Sequence, residues 1–116
     1  MSAYEGRFAG RAAVVTGGAS GLGKAAAARS VAEGGRVVLW DLNADTLKAA
    51  ATEVGAVTTV ALDVADPEAV ASAAETSNAA LGGRIDILVA SAGVTGATAP
   101  VQEFPIDSWK RVVDIN

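Results

Sequence analysis

The 116-residue chain predicts an α/β fold built on a parallel, doubly wound sheet. Three observations carry that prediction. Short runs are apolar at consecutive rather than alternate positions, the pattern of strands covered on both faces. Alanine-rich or amphipathic stretches separate these runs, and glycine, asparagine or aspartate marks most junctions. Strands alternating with helices in this way pair in parallel through right-handed crossovers.

Taken in order, Ala12-Ala13-Val14-Val15 is the first strand and breaks at Thr16-Gly17-Gly18. Lys24 to Glu33 reads as a helix, with Gly34-Gly35 supplying the left-handed stop. Val37-Val38-Leu39-Trp40 is a second strand ending at Asp41, and Asn43 caps a helix that runs to about Val54 and stops at Gly55. Val57 to Leu62 is the third strand. Asp66-Pro67-Glu68 then starts a helix, because an acidic cap precedes proline at the first helical position, where a missing N–H costs nothing. Val70, Ala73, Ala74, Ser77 and Leu81 share one face of it, and Gly82-Gly83 ends it. Ile85 to Ala90 is the fourth strand, followed by a loop from Ser91 to about Ile106 and a last helix from near Asp107-Ser108 to Asn116. The whole reads as one domain over 1–116, with 1–11 as a lead segment.

Composition narrows the function. Apolar residues make up 51% of the chain, which excludes intrinsic disorder, but 27 of them are alanine, so the core is thin. Nine basic and thirteen acidic residues give a net charge of −4 with no basic stripe, which argues against nucleic acid and membrane surfaces as partners. The absence of cysteine and histidine removes disulfides, thiol nucleophiles, His-based zinc sites and Ser-His-Asp triads together. No apolar run approaches the roughly 18 residues of a membrane span. A small-molecule partner in the cytoplasm is the expectation.

Thr16-Gly17-Gly18-Ala19-Ser20-Gly21-Leu22-Gly23 joins the first strand to the first helix, so its N–H groups converge at a helix N-terminus, an anion site by geometry. Gly17 permits the sharp exit from the strand, Gly21 lets a phosphate approach the backbone, and Gly23 lets the helix pack closely on the sheet. An ordinary tight turn is the plainer alternative, and four glycines in eight residues weigh against it. Gly18 to Lys24 also fits the G-x-x-x-x-G-K loop of nucleotide triphosphatases, but Ala25 stands where that loop needs its magnesium-binding hydroxyl. Gly21, Gly23 and Ala26 fit G-x-G-x-x-A, yet Gly21 lies five residues past Thr16. The spacing T-G-x-x-x-G-x-G fits better.

That spacing resembles the cofactor motif of the short-chain dehydrogenase/reductase family, and the resemblance extends over essentially the whole chain. It includes Asp41, Leu62-Asp63-Val64, Asp86 through Gly93, and Trp109 through Val113-Asp114-Ile115-Asn116. The resemblance implies a Rossmann-type fold and a nicotinamide cofactor held by Thr16, Gly17, Ser20, Gly21, Leu22 and Gly23. Asp41, with Leu42 beside it, would accept hydrogen bonds from the adenosine ribose and repel the 2′-phosphate of NADP, so NAD is the expected cofactor. Ser20 stands where members using NADP often carry a basic residue, and Leu42 and Asn43 supply no cation. Asp63 and Val64 match the family's adenine contacts. Ala90, Ala92 and Gly93 match the backbone that approaches the ribose, although Ala90-Ser91-Ala92-Gly93 replaces the usual Asn-Asn-Ala-Gly and loses two amide side chains.

The family's chemistry uses a tyrosine that exchanges the substrate hydroxyl proton, a lysine four residues later and a serine. No Y-x-x-x-K is present; the single tyrosine is Tyr4, with Phe8 four positions on. Asn116 matches the helix asparagine that holds a water of the proton relay. Four strands make about two-thirds of a doubly wound sheet, and the last helix carries no stop signal. The chain therefore reads as the N-terminal part of an NAD-dependent oxidoreductase interconverting a secondary alcohol and a ketone. The intact enzyme would be a homotetramer, and these 116 residues alone would be inactive. A non-catalytic nucleotide-binding module, complete as given, is the alternative. A 3-oxoacyl thioester, a sugar or polyol, a steroid and a simple secondary alcohol all remain open as substrates.

Overall fold

A computed structural model describes residues 4–116. Four strands, β1 (Ala12–Thr16), β2 (Arg36–Asp41), β3 (Thr58–Ala61) and β4 (Ile87–Ala90), form one parallel sheet in the order β3-β2-β1-β4. Between them run α1 (Gly21–Ala32), α2 (Ala44–Val54) and α3 (Pro67–Ala80); α4 (Ile106–Ile115) follows a single 3-10 turn at Val101–Glu103. The chain moves outward from β1 to β3, then crosses back through α3 to lay β4 on the other side of β1. The sheet is doubly wound, as the sequence predicts.

Both faces of the central strands are covered, which explains their consecutive apolar residues. Ala13, Val15, Val37 and Leu39 point to one face and pack with Ala27 of α1 and Leu47, Ala50 and Val54 of α2. Ala12, Val14, Val38 and Trp40 point to the other and pack with Leu62, Ala73 and Leu81. The alanines of α1 bring that helix close to the sheet but fill little volume. The face of α3 foreseen from its spacing is the one that packs, with Ala73 and Ser77 buried and Val70 and Ala74 packed beside them.

The boundaries differ modestly from the sequence reading. The first helix begins at Gly21 rather than Lys24, because the turn glycines already adopt its first turn. β3 is shorter than Val57 to Leu62, yet Val57 N–H donates to Val37 (2.8 Å) and Leu62 N–H to Asp41 (2.9 Å), so the pairing does span those residues. β4 begins at Ile87. Before it, Asp86 turns its carboxylate onto the start of β1, accepting from Ala12 N–H (2.9 Å) and from Arg84 (2.7 Å). Those two donors, Arg84 first, hold the Asp86 carboxyl below its ordinary range. β4 also departs from two-sided burial: Leu88 is 64% exposed, and α4 buries no residue among those described. No helix among the described residues is long and apolar enough to cross a membrane.

At the opposite end of the sheet from the glycine turn, the lead segment is fastened by Glu33, whose side chain is fully buried. Its Oε2 accepts from Arg7 (2.8 Å) and Arg29 (2.7 Å), and Oε1 lies 2.6 Å from Arg7 Nε. Burial pushes this carboxyl up, but the hydrogen bonds from Arg29 and Arg7 outweigh it and leave it below the usual range. The Arg7 guanidinium stacks over Tyr4 and Phe8, so Tyr4 belongs to this end of the molecule.

Candidate functional site

A cleft of about 390 Å³ opens above the C-terminal ends of the strands, where the winding direction reverses between β1 and β4. In open α/β sheets this switch point is where ligands bind, because the loops on either side diverge. Gly17, Ser20, Gly21 and Leu22 line it from the glycine turn, Asp41 and Leu42 from the end of β2, and Leu62, Asp63 and Val64 from the end of β3. Ser91, Ala92, Gly93 and Val94 complete it beyond β4, with Ile115 from α4.

Sterics show why the turn needs its glycines. Gly17 has φ +65°, and a Cβ there would lie 2.9 Å from the backbone of Ser91 and Ala92. A Cβ on Gly23 would fall 2.2 Å from the Gly17 carbonyl oxygen, so the first turn of α1 rests directly on the strand exit. Gly21, at φ +57°, faces open space. Ser20 precedes α1 in an extended conformation and its side chain makes no capping bond, and the first turn carries no acidic residue. The helix N-terminus therefore presents backbone donors and positive potential to the cleft, with no capping side chain and no acid in its own first turn.

The two carboxylates of the cleft are held differently. Asp41 Oδ2 accepts from Ala19 N–H (3.1 Å) and Oδ1 from its neighbour Leu42 N–H (2.8 Å), which ties the end of β2 to the glycine turn. Trp40 anchors that strand end: its carbonyl accepts from Gly18 N–H (3.1 Å) and its indole N–H donates to the buried Ser77 hydroxyl (2.8 Å). Asp63 Oδ1 accepts from Ala65 N–H (2.9 Å), while Oδ2 lies 3.5 Å from Arg111 on α4. Among the described residues, no lysine or arginine lines the cleft.

Most of the residues singled out from sequence meet in this cleft, and four lie behind its wall. The Thr16 hydroxyl accepts from Ser91 N–H and Ala92 N–H (both 3.1 Å), fastening β1 to the loop after β4. It does so where Ala90 has no polar side chain to offer. Gly23 is buried beneath the turn. Ala90 lines an apolar groove on the α3 side with Val14, Trp40 and Leu88, because neighbouring residues of a strand point to opposite faces. Asn116 borders that groove too, and its amide is engaged twice with one residue, accepting from Val94 N–H (2.9 Å) and donating to the Val94 carbonyl (3.0 Å). It holds α4 against the loop that carries Gly93. The sequence reading missed Leu62, Ser91, Val94 and Ile115 as lining residues; each adjoins a residue it had named, so extending each motif by one position would have found them.

Fold and cleft together define a doubly wound α/β protein with its ligand site at the switch point above a glycine-rich turn. The chain belongs to the short chain dehydrogenase family, whose sequence pattern matches residues 11–116. The 2-dehydro-3-deoxy-L-rhamnonate dehydrogenase (NAD(+)) of Sphingomonas sp. (strain SKA58) is 64% identical over 116 residues, covering all of this chain and 46% of that protein. Among solved structures, NAD+-bound xylitol dehydrogenase superposes with a TM-score of 0.84 at 34% identity, covering 94% of this chain and 43% of the other. L-Sorbose reductase from Gluconobacter frateurii, complexed with NADPH and L-sorbose, gives a TM-score of 0.86 at 33% identity, covering 97% and 44%. The chain thus spans less than half the length of each of these proteins. Similar folds hold either dinucleotide, so the choice between them rests on side chains in the cleft.

Proposed function

We propose that the chain forms the cofactor half of an NAD-linked oxidoreductase that interconverts a secondary alcohol and a ketone on a sugar acid or polyol. The observation that carries the cofactor choice is Asp41, a carboxylate fixed by two backbone N–H groups in a cleft without a lining cation. It can accept from ribose hydroxyls, and it opposes a 2′-phosphate. The substrate class follows the 64% identity to a deoxy sugar acid dehydrogenase.

In this reading the N–H groups at the start of α1 bind the pyrophosphate, Asp63 and Val64 receive the adenine, and Gly93 lets the backbone approach the ribose. When bound, the nicotinamide supplies hydride transfer. Asn116 positions the Val94 segment beside it and supports the water relay from there. The tyrosine and lysine that would exchange the substrate proton are not among these 116 residues, and Tyr4 stacks at the far end of the sheet. The chain alone is accordingly a binder without turnover. The intact enzyme, in this reading, is a cytoplasmic homotetramer.

Calorimetry tests the assignment directly. NAD+ should bind at least about tenfold more tightly than NADP+, a gap of roughly 1.4 kcal/mol. Equal affinities would overturn it. Turnover of an alcohol by residues 1–116 alone would overturn the division of labour.

A further inference from the structure

We infer that Arg111 is a positioning residue for adenine recognition, acting through Asp63. This assignment rests on the reading of the cleft as a dinucleotide site and deepens it. Asp63 sits at the end of β3 and Arg111 on α4, 48 residues further along the chain, and their side chains meet at 3.5 Å on the cleft rim. Ala65 N–H occupies Oδ1 of the carboxylate at 2.9 Å, so the guanidinium engages the other oxygen. With both oxygens engaged, the carboxylate plane is fixed, and the lone pairs left over point in set directions.

Charge gives the pair a second consequence. The cleft is lined by two carboxylates, Asp41 and Asp63, and by no cation, yet the proposed ligand carries two phosphate charges. The positive end of α1 offsets part of that repulsion, but it lies at the glycine turn. At the far rim, Arg111 is the group that screens Asp63, so an oriented acceptor is kept there with less repulsion of the incoming anion. Arg111 does not line the cleft and is about half exposed, so its contribution is made through Asp63 rather than by covering the ligand.

The test is calorimetry on the unsubstituted protein, Arg111→Ala, Arg111→Lys and Asp63→Asn, with NAD+, its hypoxanthine analogue and reduced nicotinamide mononucleotide. Arg111→Ala should weaken NAD+ binding about threefold to fivefold, the scale of a partly exposed ion pair. It should shrink the preference for adenine over hypoxanthine and leave the mononucleotide unchanged, while Arg111→Lys restores most of both losses. Adding Arg111→Ala to Asp63→Asn should cost nothing further. An unchanged adenine preference in Arg111→Ala, or full additivity with Asp63→Asn, overturns the assignment alone. Failure of the unsubstituted protein to bind NAD+ overturns the cleft reading and this assignment with it.

Discussion

The helices α1 and α2 leave the sheet from neighbouring strands, yet they begin in opposite ways. At α2, Asn43 Oδ1 accepts from Asp45 N–H (2.9 Å) and Thr46 N–H (3.1 Å), and Asp45 adds an acid to the first turn. At α3, Asp66 does the same for Glu68 and Ala69, with Glu68 as the first-turn acid. At α1, the Ser20 side chain makes no capping bond and the first turn is Gly-Leu-Gly. A capped helix has spent its free donors on its own chain, whereas α1 keeps them and takes its stability from packing Gly23 and Ala27 against the sheet. The difference teaches where an anion can bind: of the three helices that connect strands, α1 is the one whose N-terminal donors are left without a side-chain cap, and its start lines the cleft.

The sharpest way to break this contrast is to lift α1 off the strand exit. Gly23→Ala places a methyl 2.2 Å from the Gly17 oxygen. It should destabilise the fold by about 3 kcal/mol and weaken NAD+ binding at least about a hundredfold, read by thermal unfolding and calorimetry. Unchanged binding would show that the turn geometry is not what holds the ligand.

Removing the carboxylate at the neighbouring strand end should act less on the fold and more on selectivity. Asp41→Ala should narrow the NAD+ over NADP+ preference to about threefold or less, because it deletes both the ribose acceptor and the repulsion of a 2′-phosphate. An undiminished preference would place the selectivity elsewhere.

Making α1 begin as α2 does is gentler and more telling. Ser20→Asp should add a cap and stabilise the protein by about 0.5–1 kcal/mol, while weakening NAD+ about tenfold by placing a carboxylate at the anion site. The converse changes, Asn43→Ala and Asp66→Ala, should each cost about 1 kcal/mol and leave NAD+ affinity alone. If Ser20→Asp stabilised the protein without weakening the dinucleotide, the open N-terminus would not be the phosphate site.

Acid should act at the other end of the sheet. Glu33 and Asp86 are both held below the ordinary carboxylate range in the folded protein. A depressed folded value contributes stability that is present above the unfolded carboxylate range and is lost as pH falls through the folded value. The melting temperature should therefore be flat near neutrality and fall as pH drops below about 4. Glu33→Gln should reduce that slope. A slope unchanged by Glu33→Gln would remove the lead-segment clamp as a cause.

What the sequence by itself determined is local. The caps at Asn43 and Asp66, the stops at Gly55 and Gly82-Gly83, and the spacing of Gly17, Gly21 and Gly23 act within one turn of chain, where neighbours in sequence are neighbours in space. Asp41 was legible for the same reason, since the end of a strand that follows a glycine turn falls beside that turn in a parallel pair. The tertiary structure alone decided the rest. Asp86 closing the start of β1, Arg36 donating to the Leu81 and Ala80 carbonyls at the end of α3, and Arg111 reaching Asp63 join residues 74, 45, 44 and 48 apart. Ala90, Ser91, Ala92 and Gly93 form one motif in sequence, but Ala90 is the last residue of β4 and faces the apolar groove on the α3 side, Ala92 borders both that groove and the cleft, and Ser91 and Gly93 line the cleft. Periodicity states which residues share a side of an element, and only the packing of that element states what the side meets.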